Sequence, residues 1–288
     1  MRNTNRLTLL GTGKEMSNHP FDLLMELDAE QIRLDWAALH LARDVYATVN
    51  VTRYVRLLDD LANEVAAARP GLAANLRYRA LQRVLVGSFG LTGDRGDYYH
   101  PDTCYLNRVL DRRRGAPISL AVVWIEVARR LKWPLTGVAL PGHFIVRLDD
   151  PERFLLIDPF HDGRPLSIED CENLVEERLG GSISFTTDLL EPVGTRSILL
   201  RLLRNLRNIY LTRNDLPNLA VTLRRLAAIE PTNGRHLQDL AAVCCRRGDV
   251  RGAAAHLTLY LHRTPDAEDS PVVRRNLQQL HAALLARN

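Results

Sequence analysis

The second part of the chain repeats itself at a constant offset of 34 residues, and this repeat limits the folds open to it. The pairs that match across the offset are Leu206 and Leu240, Asp215 and Asp249, Leu216 and Val250, Ala220 and Ala254, Leu223 and Leu257, and Pro231 and Pro265. A period of this length is typical of helical hairpins that stack side by side and bury one face against their neighbours. We therefore predict two α-hairpins and a last helix in residues 196–288, which together form a short solenoid.

The net charge of +4 conceals an uneven distribution. Residues 196–288 contain 15 Arg and no Lys against 7 Asp plus Glu, which leaves +8 there and −4 in residues 1–195. A basic segment can mark a nucleic-acid partner. However, Lys14 and Lys132 are the only lysines of the chain, so a general bias toward arginine explains the excess. Because no basic run with interleaved aromatic residues occurs, we do not expect a nucleic-acid partner.

Composition favours a globular protein in a reducing compartment. Apolar residues make up 46% and charged residues 25% of the chain. No apolar run of about 18 residues is present, and the N-terminus lacks the features of a signal peptide. The four cysteines show no CxxC spacing, which disfavours a zinc ribbon or a disulfide framework. We therefore predict a cytoplasmic location with reduced thiols and no membrane association.

Three helices are expected before the central region. Residues 1–19 are polar and unpatterned, so we predict that they are unstructured or that translation starts at Met16 rather than Met1. Apolar residues at spacings of three and four then recur through residues 20–96, as in amphipathic helices. These residues form the predicted N-terminal helical region.

Residues 97–190 hold the chemically informative motifs. Pro117 begins an apolar stretch that favours a buried helix, because proline is best tolerated in the first helical turn. Two or three short β-like runs follow; His143 opens one of them, and Asp158 closes the next. Residues 182–195 contain Pro192 and Gly194, and we predict a linker there.

These residues resemble the papain-like core of transglutaminase-like proteins, in which a helix precedes a strand with His and a strand that ends in Asp-Pro. The closest resemblance is to the SirB-type family of bacterial transglutaminase-like proteins, and it rests on Asn107-Arg108-Val109-Leu110, Gly115-Ala116-Pro117-Ile118-Ser119-Leu120, Pro141-Gly142-His143-Phe144 and Asp158-Pro159-Phe160. The resemblance implies an α+β fold with an N-terminal helical region, a small papain-like core and C-terminal tetratricopeptide-like α-hairpins.

The resemblance also implies roles for the site residues, but the residue for one of these roles is missing in this chain. In catalytic relatives, a Cys at the helix start, a His and an Asp act as nucleophile, base and orienter. In this chain Pro117 stands at the position of the Cys, and proline cannot attack a carbonyl. We therefore expect that the protein has kept His143 and Asp158 but does not catalyse Cys-dependent acyl transfer. Five further motif residues are expected to shape the cleft: Asn107, Gly115, Ser119, Gly142 and Phe144.

A displaced nucleophile is the main alternative. Cys104 precedes His143 and Asp158 in the chain, which is the order that a cysteine-dependent acyl transferase, amidohydrolase or protease of this type requires. A lone cysteine is, however, also common as a small buried hydrophobe. A hydrogen-bond-length approach of the Cys104 sulfur to His143 would favour the enzyme.

Three other interpretations of the site stay open. Ser119 offers a hydroxyl, but two residues turn a helix by about 200°, so it should face away from the side that position 117 faces. His143, Asp158 and His161 could hold a metal ion, although their spacing matches no recognisable zinc motif, and we predict no metal and no cofactor. The His143–Asp158 pair, with Asn107 or Tyr98 nearby, could also simply satisfy buried polar groups.

Together these observations predict a non-catalytic or weakly catalytic transglutaminase-like protein, with a cysteine-dependent enzyme that uses Cys104 as the alternative. Its expected role is regulatory or accessory, and its expected partner is a protein or peptide bound by the cleft and the helical repeats.

Overall fold

The computed structural model describes residues 19–97, 99–151, 153–180 and 184–286. Its helices are α1 (Pro20–Leu24), α2 (Leu34–Arg43), α3 (Val51–Ala67), α4 (Ala74–Gln82), α5 (Leu106–Arg112), α6 (Pro117–Arg130), α7 (Ile168–Leu179), α8 (Thr195–Thr212), α9 (Leu216–Ile229), α10 (Arg235–Arg246), α11 (Val250–Arg263) and α12 (Ser270–Leu285). Its strands are β1 (Thr92–Gly93), β2 (Arg114–Gly115), β3 (Leu135–Val138), β4 (Ile145–Asp149), β5 (Phe154–Asp158), β6 (Arg164–Leu166) and β7 (Pro192–Val193). The prediction for residues 1–19 falls outside the described residues, apart from residue 19.

A small antiparallel sheet forms the centre of the fold. Its strand order is β6-β5-β4-β3-β7, and the short strands β1 and β2 pair separately in parallel. Within the sheet, Val146 lies opposite Ile157 and Gly137 lies opposite Val146. The alternation along β4 places Val146 and Leu148 in the main core, while Ile145 belongs to a second core on the other face. Each face of the sheet therefore covers a separate set of apolar side chains.

Helix α6 lies at the middle of the main core. Eleven of its 14 residues are buried, and the helix contacts α2, α3, α5 and α8 as well as β3 and β4. Trp124 is fully buried within it. Helix α7 supplies Cys171 and Val175 to the second core, so the sheet is covered on both faces. This arrangement confirms the predicted α+β class with a small central sheet.

The repeats form the predicted hairpins, α8 with α9 and α10 with α11, and α12 follows. Asp215 and Asp249, which are 34 residues apart, both occupy N-cap positions, where their side chains accept hydrogen bonds from the backbone N–H groups of Asn218 and Gly252. An Asp N-cap satisfies backbone N–H groups that have no helical partner. The equal offset in the sequence therefore corresponds to equal helix starts in the structure.

The repeats share their core with the rest of the protein. The Tyr210 hydroxyl of α8 lies 2.8 Å from the Tyr105 hydroxyl, and Arg225 of α9 forms ion pairs with Asp22 at 2.7 Å and Asp44 at 2.8 Å. Apolar residues of α8 to α12 belong to the same buried cluster as those of α6. The helices of residues 196–288 are thus packed on the N-terminal helices rather than joined to them by a free linker.

The linker prediction for residues 182–195 is wrong in one part. Pro192 and Val193 form strand β7, which pairs with Val138 and Gly137 of β3 at the edge of the sheet. An edge strand tolerates proline because its outward side needs no hydrogen-bond donor.

Candidate functional site

His143 is positioned by the turn between β3 and β4. Gly142 precedes it with φ of +75°, and a Cβ atom there would lie 2.7 Å from Cβ of Arg178. Only glycine adopts that backbone conformation without strain and also leaves space for helix α7. The His143 side chain is fully buried, with its ring 6.2 Å from the Phe160 ring in an edge-to-face arrangement.

Asp158 accepts hydrogen bonds from two histidines on one oxygen. His143 Nε2 lies 2.9 Å and His161 Nδ1 lies 2.6 Å from Asp158 Oδ2. The other carboxylate oxygen, Oδ1, accepts from the backbone N–H groups of Phe160 at 2.9 Å and His161 at 3.4 Å. Burial by itself raises the pKa of this carboxyl, but the hydrogen bonds and charges of His143 and His161 outweigh burial, so the pKa lies below its ordinary value. Asp158 is therefore ionised, and its carboxylate orients the imidazole rings of both histidines through hydrogen bonds.

His161 was considered beside Asp158 only as a possible metal ligand, and its hydrogen bond to the carboxylate was not predicted. It lies in the 3₁₀ turn Pro159–His161 that follows β5, three residues after the aspartate. Residues i and i+3 lie on the same side of a 3₁₀ turn, so the Asp-Pro-Phe-His spacing was an available signal. The His161 side chain is 38% exposed, so the cluster extends from the buried His143 to the surface.

One ring nitrogen of His143 has no hydrogen-bond partner in the described structure. His143 Nε2 faces the Asp158 carboxylate, whereas the other nitrogen, Nδ1, is buried without a hydrogen bond to any described residue. The ligand atoms of His143, Asp158 and His161 lie within 4.8 Å of one another, close enough to consider a metal ion. In the described structure, both rings lie within hydrogen-bond distance of the same Asp158 oxygen, so the three side chains form a hydrogen-bonded cluster.

Pro117 begins α6, as predicted for a proline at the first helical position. It is buried, and Ala116 before it provides no side-chain cap. Gly115 packs tightly, since a Cβ atom there would lie 2.9 Å from Cγ2 of Val109. Ser119 is buried, and its hydroxyl donates to the backbone carbonyl of Cys104 at 3.4 Å. That hydroxyl therefore joins the first turn of α6 to the preceding loop.

Cys104 lies in the core, and its sulfur makes no hydrogen bond to a histidine among the described residues. Its side chain is fully buried, and its sulfur lies 3.8 Å from the hydroxyl of Thr103, which is its hydrogen-bond partner among the described residues. Burial raises the pKa of this thiol to about 12, and the hydrogen bond from Thr103 only partly offsets that effect. The structure thus brings His143 and Asp158 together but does not bring the Cys104 sulfur within hydrogen-bond distance of them.

The other predicted cleft residues are also buried. Asn107 has a side-chain oxygen that lacks a hydrogen-bond partner in the described structure, and the Phe144 ring packs against Gly137. Tyr98 lies outside the described residues.

Comparisons with known proteins agree with this architecture. Residues 52–204 match the model of a transglutaminase-like superfamily, and residues 206–278 match a tetratricopeptide repeat. A UPF0162 protein of Xylella fastidiosa (strain 9a5c) is 36% identical over 261 residues, which cover 89% of this chain and 93% of the relative. This chain belongs to the UPF0162 family. The predicted kinship with transglutaminase-like proteins that carry tetratricopeptide repeats is therefore confirmed.

Two further proteins, one of them outside the UPF0162 family, show how far the similarity extends. The UPF0162 protein YchA of Escherichia coli (strain K12) is 25% identical over 275 residues, which cover 92% of this chain and 94% of the relative. F-box only protein 21 of Mus musculus is 33% identical over 135 residues, which cover 44% of this chain and 21% of that protein. No solved structure matches this chain. Among the described residues, no helix combines the length and apolar character needed to cross a bilayer.

Proposed function

We propose that this UPF0162 protein is a non-catalytic member of the transglutaminase-like superfamily that binds a protein or peptide partner through its tetratricopeptide repeats. The observation that carries the proposal is that, among the described residues, no cysteine sulfur lies within hydrogen-bond distance of His143 or Asp158. Pro117 stands at the nucleophile position, and the buried Cys104 thiol bonds to Thr103 rather than to a histidine. Acyl transfer of this class needs a thiolate next to its base.

The ionised fraction of the Cys104 thiol follows from its raised pKa. With a pKa of about 12, Cys104 is ionised in about one molecule in 10,000 at pH 8, whereas an ordinary cysteine is ionised in about one in four. Cysteine nucleophiles of this class have their pKa lowered by a neighbouring histidine, which is the opposite shift. His143 and Asp158 are then left as a buried pair that supports the fold of the cleft.

The repeats support the binding part of the proposal. Tetratricopeptide repeats generally mediate protein interactions through the face that their stacked helices leave open. Here α8 and α10 are the first helices of the two hairpins, and α12 follows the second hairpin. A regulatory or accessory role follows if binding is the only activity.

Alkylation of native protein with iodoacetamide from pH 6 to 9 tests the proposal. Cys245 is exposed, while Cys104, Cys171 and Cys244 are buried, so we expect one reactive thiol in native protein and four after unfolding. The Cys245→Ser variant should then show no fast labelling. A Cys104 that reacts at pH 7, and that slows in the His143→Ala variant, would instead show a histidine-paired thiolate and a cysteine-dependent enzyme.

A further inference from the structure

The His143–Asp158 pair has a second histidine beside it that the proposed function does not use. His161 Nδ1 lies 2.6 Å from Asp158 Oδ2, the same oxygen that faces His143 Nε2 at 2.9 Å. A carboxylate that orients one buried imidazole needs only that one partner. The position of the second histidine therefore needs an explanation of its own.

Three potential metal ligands converge at this oxygen. One ligand atom from each of His143, Asp158 and His161 lies within 4.8 Å of the others, and the two imidazole rings are 5.9 Å apart with their planes inclined by 36°. In a tetrahedral zinc site, with bonds of about 2.0–2.2 Å, neighbouring ligand atoms lie about 3.3–3.5 Å apart. Each nitrogen would therefore have to move less than about 1 Å away from the carboxylate oxygen to admit the ion.

Two of the three ligands are held in place by contacts outside the cluster. Asp158 Oδ1 accepts from the backbone N–H groups of Phe160 at 2.9 Å and His161 at 3.4 Å, which leaves Oδ2 directed at the rings. Carboxylates that bind metal ions are typically fixed by such outer hydrogen bonds. The His143 side chain is fully buried behind the turn at Gly142. Little ordering is then needed when an ion binds, which favours binding.

The cluster is open to solvent on one side. The His161 side chain is 38% exposed, whereas those of His143 and Asp158 are 0% and 1% exposed. An ion can enter past His161 without unfolding of the core. Two histidines and one carboxylate, with a fourth position left for water, form a known type of zinc site.

We propose that His143, Asp158 and His161 bind a divalent transition-metal ion, and that zinc is the ion that fits best. Two of the three ligand atoms are imidazole nitrogens, whereas magnesium and calcium select oxygen ligands. The same ligand set also binds ferrous iron, but zinc binds more tightly to such ligands. The proton that each ring now shares with the carboxylate moves to the other ring nitrogen or to solvent when the ion binds.

The spacing of these residues in the chain was the reason to predict no metal site. Spacing limits a site only when its ligands come from one helix or loop. Here the turn before β4, the end of β5 and the following 3₁₀ turn bring the ligands together. The metal site is also independent of the proposed function, because zinc supplies no thiol and the three ligands lie outside the repeats.

The test is calorimetric titration of zinc into the untagged full-length chain after treatment with a chelator and its removal. A Cys245→Ser background removes the exposed native thiol as a competing ligand. We expect one zinc ion per chain. His161→Ala should raise the Kd by about 100-fold or more, because loss of a ligand exceeds the 10–100-fold cost of losing an outer-shell partner. His161 is partly exposed, so this variant should keep the fold, which circular dichroism checks.

His236→Ala is the matched control. His236 Nε2 lies 2.8 Å from Glu230 Oε2, and no third potential ligand completes this pair among the described residues. This variant should bind zinc as tightly as its parent. Asp158→Asn keeps the shape of the side chain and an oxygen that can accept hydrogen bonds, but it should lose zinc binding with the charge.

The outcomes decide between a metal site and a hydrogen-bonded cluster. Zinc should raise the melting temperature of the parent and leave that of His161→Ala unchanged, because only an ion that binds the folded state stabilises it. A chain that binds no zinc, or that binds it equally well without His161, overturns the site. Loss of binding in His236→Ala places the ion elsewhere, and displacement of zinc by an equal concentration of magnesium contradicts nitrogen ligands.

Discussion

Replacing Pro117 with cysteine should restore a reactive thiol to this fold. Position 117 is the first residue of the 14-residue helix α6, and Ala116 before it makes no side-chain cap bond. Thiols at helix N-termini and beside histidine have lowered pKa values, because the helix dipole and the imidazolium stabilise the thiolate. His143 Nδ1 is buried without a hydrogen-bond partner in the described structure, and the resemblance to catalytic transglutaminase-like proteins implies that a sulfur at position 117 would pair with this nitrogen.

The expected change is large enough to measure. If the pKa of the introduced thiol falls from about 8.5 to about 6.5, its ionised fraction at pH 7 rises from about 3% to about 75%, roughly 25-fold. Loss of the proline should cost about 1 kcal/mol of stability through the added freedom of the unfolded chain. The fold should therefore survive the substitution.

The assay is the pH dependence of thiolate ultraviolet absorbance in a Cys245→Ser background, which removes the exposed native thiol and does not require a reagent to reach the buried position 117. We expect the thiolate absorbance of Pro117→Cys to titrate below pH 7.5, and the additional change His143→Ala to move that titration upward by about one unit or more. An introduced thiol that titrates above pH 8, or whose pKa is the same with and without His143, would refute the view that the proline alone separates this site from a nucleophile–base pair.

Three further predictions concern stability. Arg225→Met removes the guanidinium that joins the repeats to the N-terminal helices, and it should lower the free energy of unfolding, measured by urea denaturation, by about 2–4 kcal/mol. A loss below about 1 kcal/mol would show that the ion pairs are dispensable. The folded-state pKa of Asp158 is lowered, so the stability that this carboxylate contributes is present above about pH 4 and is lost as the pH falls through that pKa. The unfolding free energy of Asp158→Asn should therefore fall less steeply below pH 4 than that of the wild type. Parallel curves of unfolding free energy against pH would contradict this. Gly142→Ala should lower the free energy of unfolding by about 2 kcal/mol or more, because the added methyl group clashes with Arg178 and the residue is strained in the left-handed conformation. Gly248 also has a positive φ of +76° but has open space around it, so Gly248→Ala should cost only about 1 kcal/mol. Equal shifts in melting temperature for the two variants would exclude the clash.

Much of the architecture could be read from local patterns. Helix-period apolar residues and the 34-residue offset predicted the hairpins, because a helix that buries one face leaves its period in the sequence. The placement of Pro117 at a helix start also followed from the chemistry of proline, which lacks an N–H group. The contact between His143 and Asp158 was suggested by their motif and has the expected hydrogen-bond length.

The tertiary structure decided the properties that depend on distant neighbours. The short strand at Pro192 was not visible in its sequence, since an edge strand of two residues has no periodicity and exists through pairing with β3. The state of Cys104 likewise depends on the side chains packed around it, because burial, and not the residue type, raises its thiol pKa to about 12. Sequence alone thus determined the helical hairpins and the proline at the start of α6, whereas packing determined which polar groups lie close enough to act together.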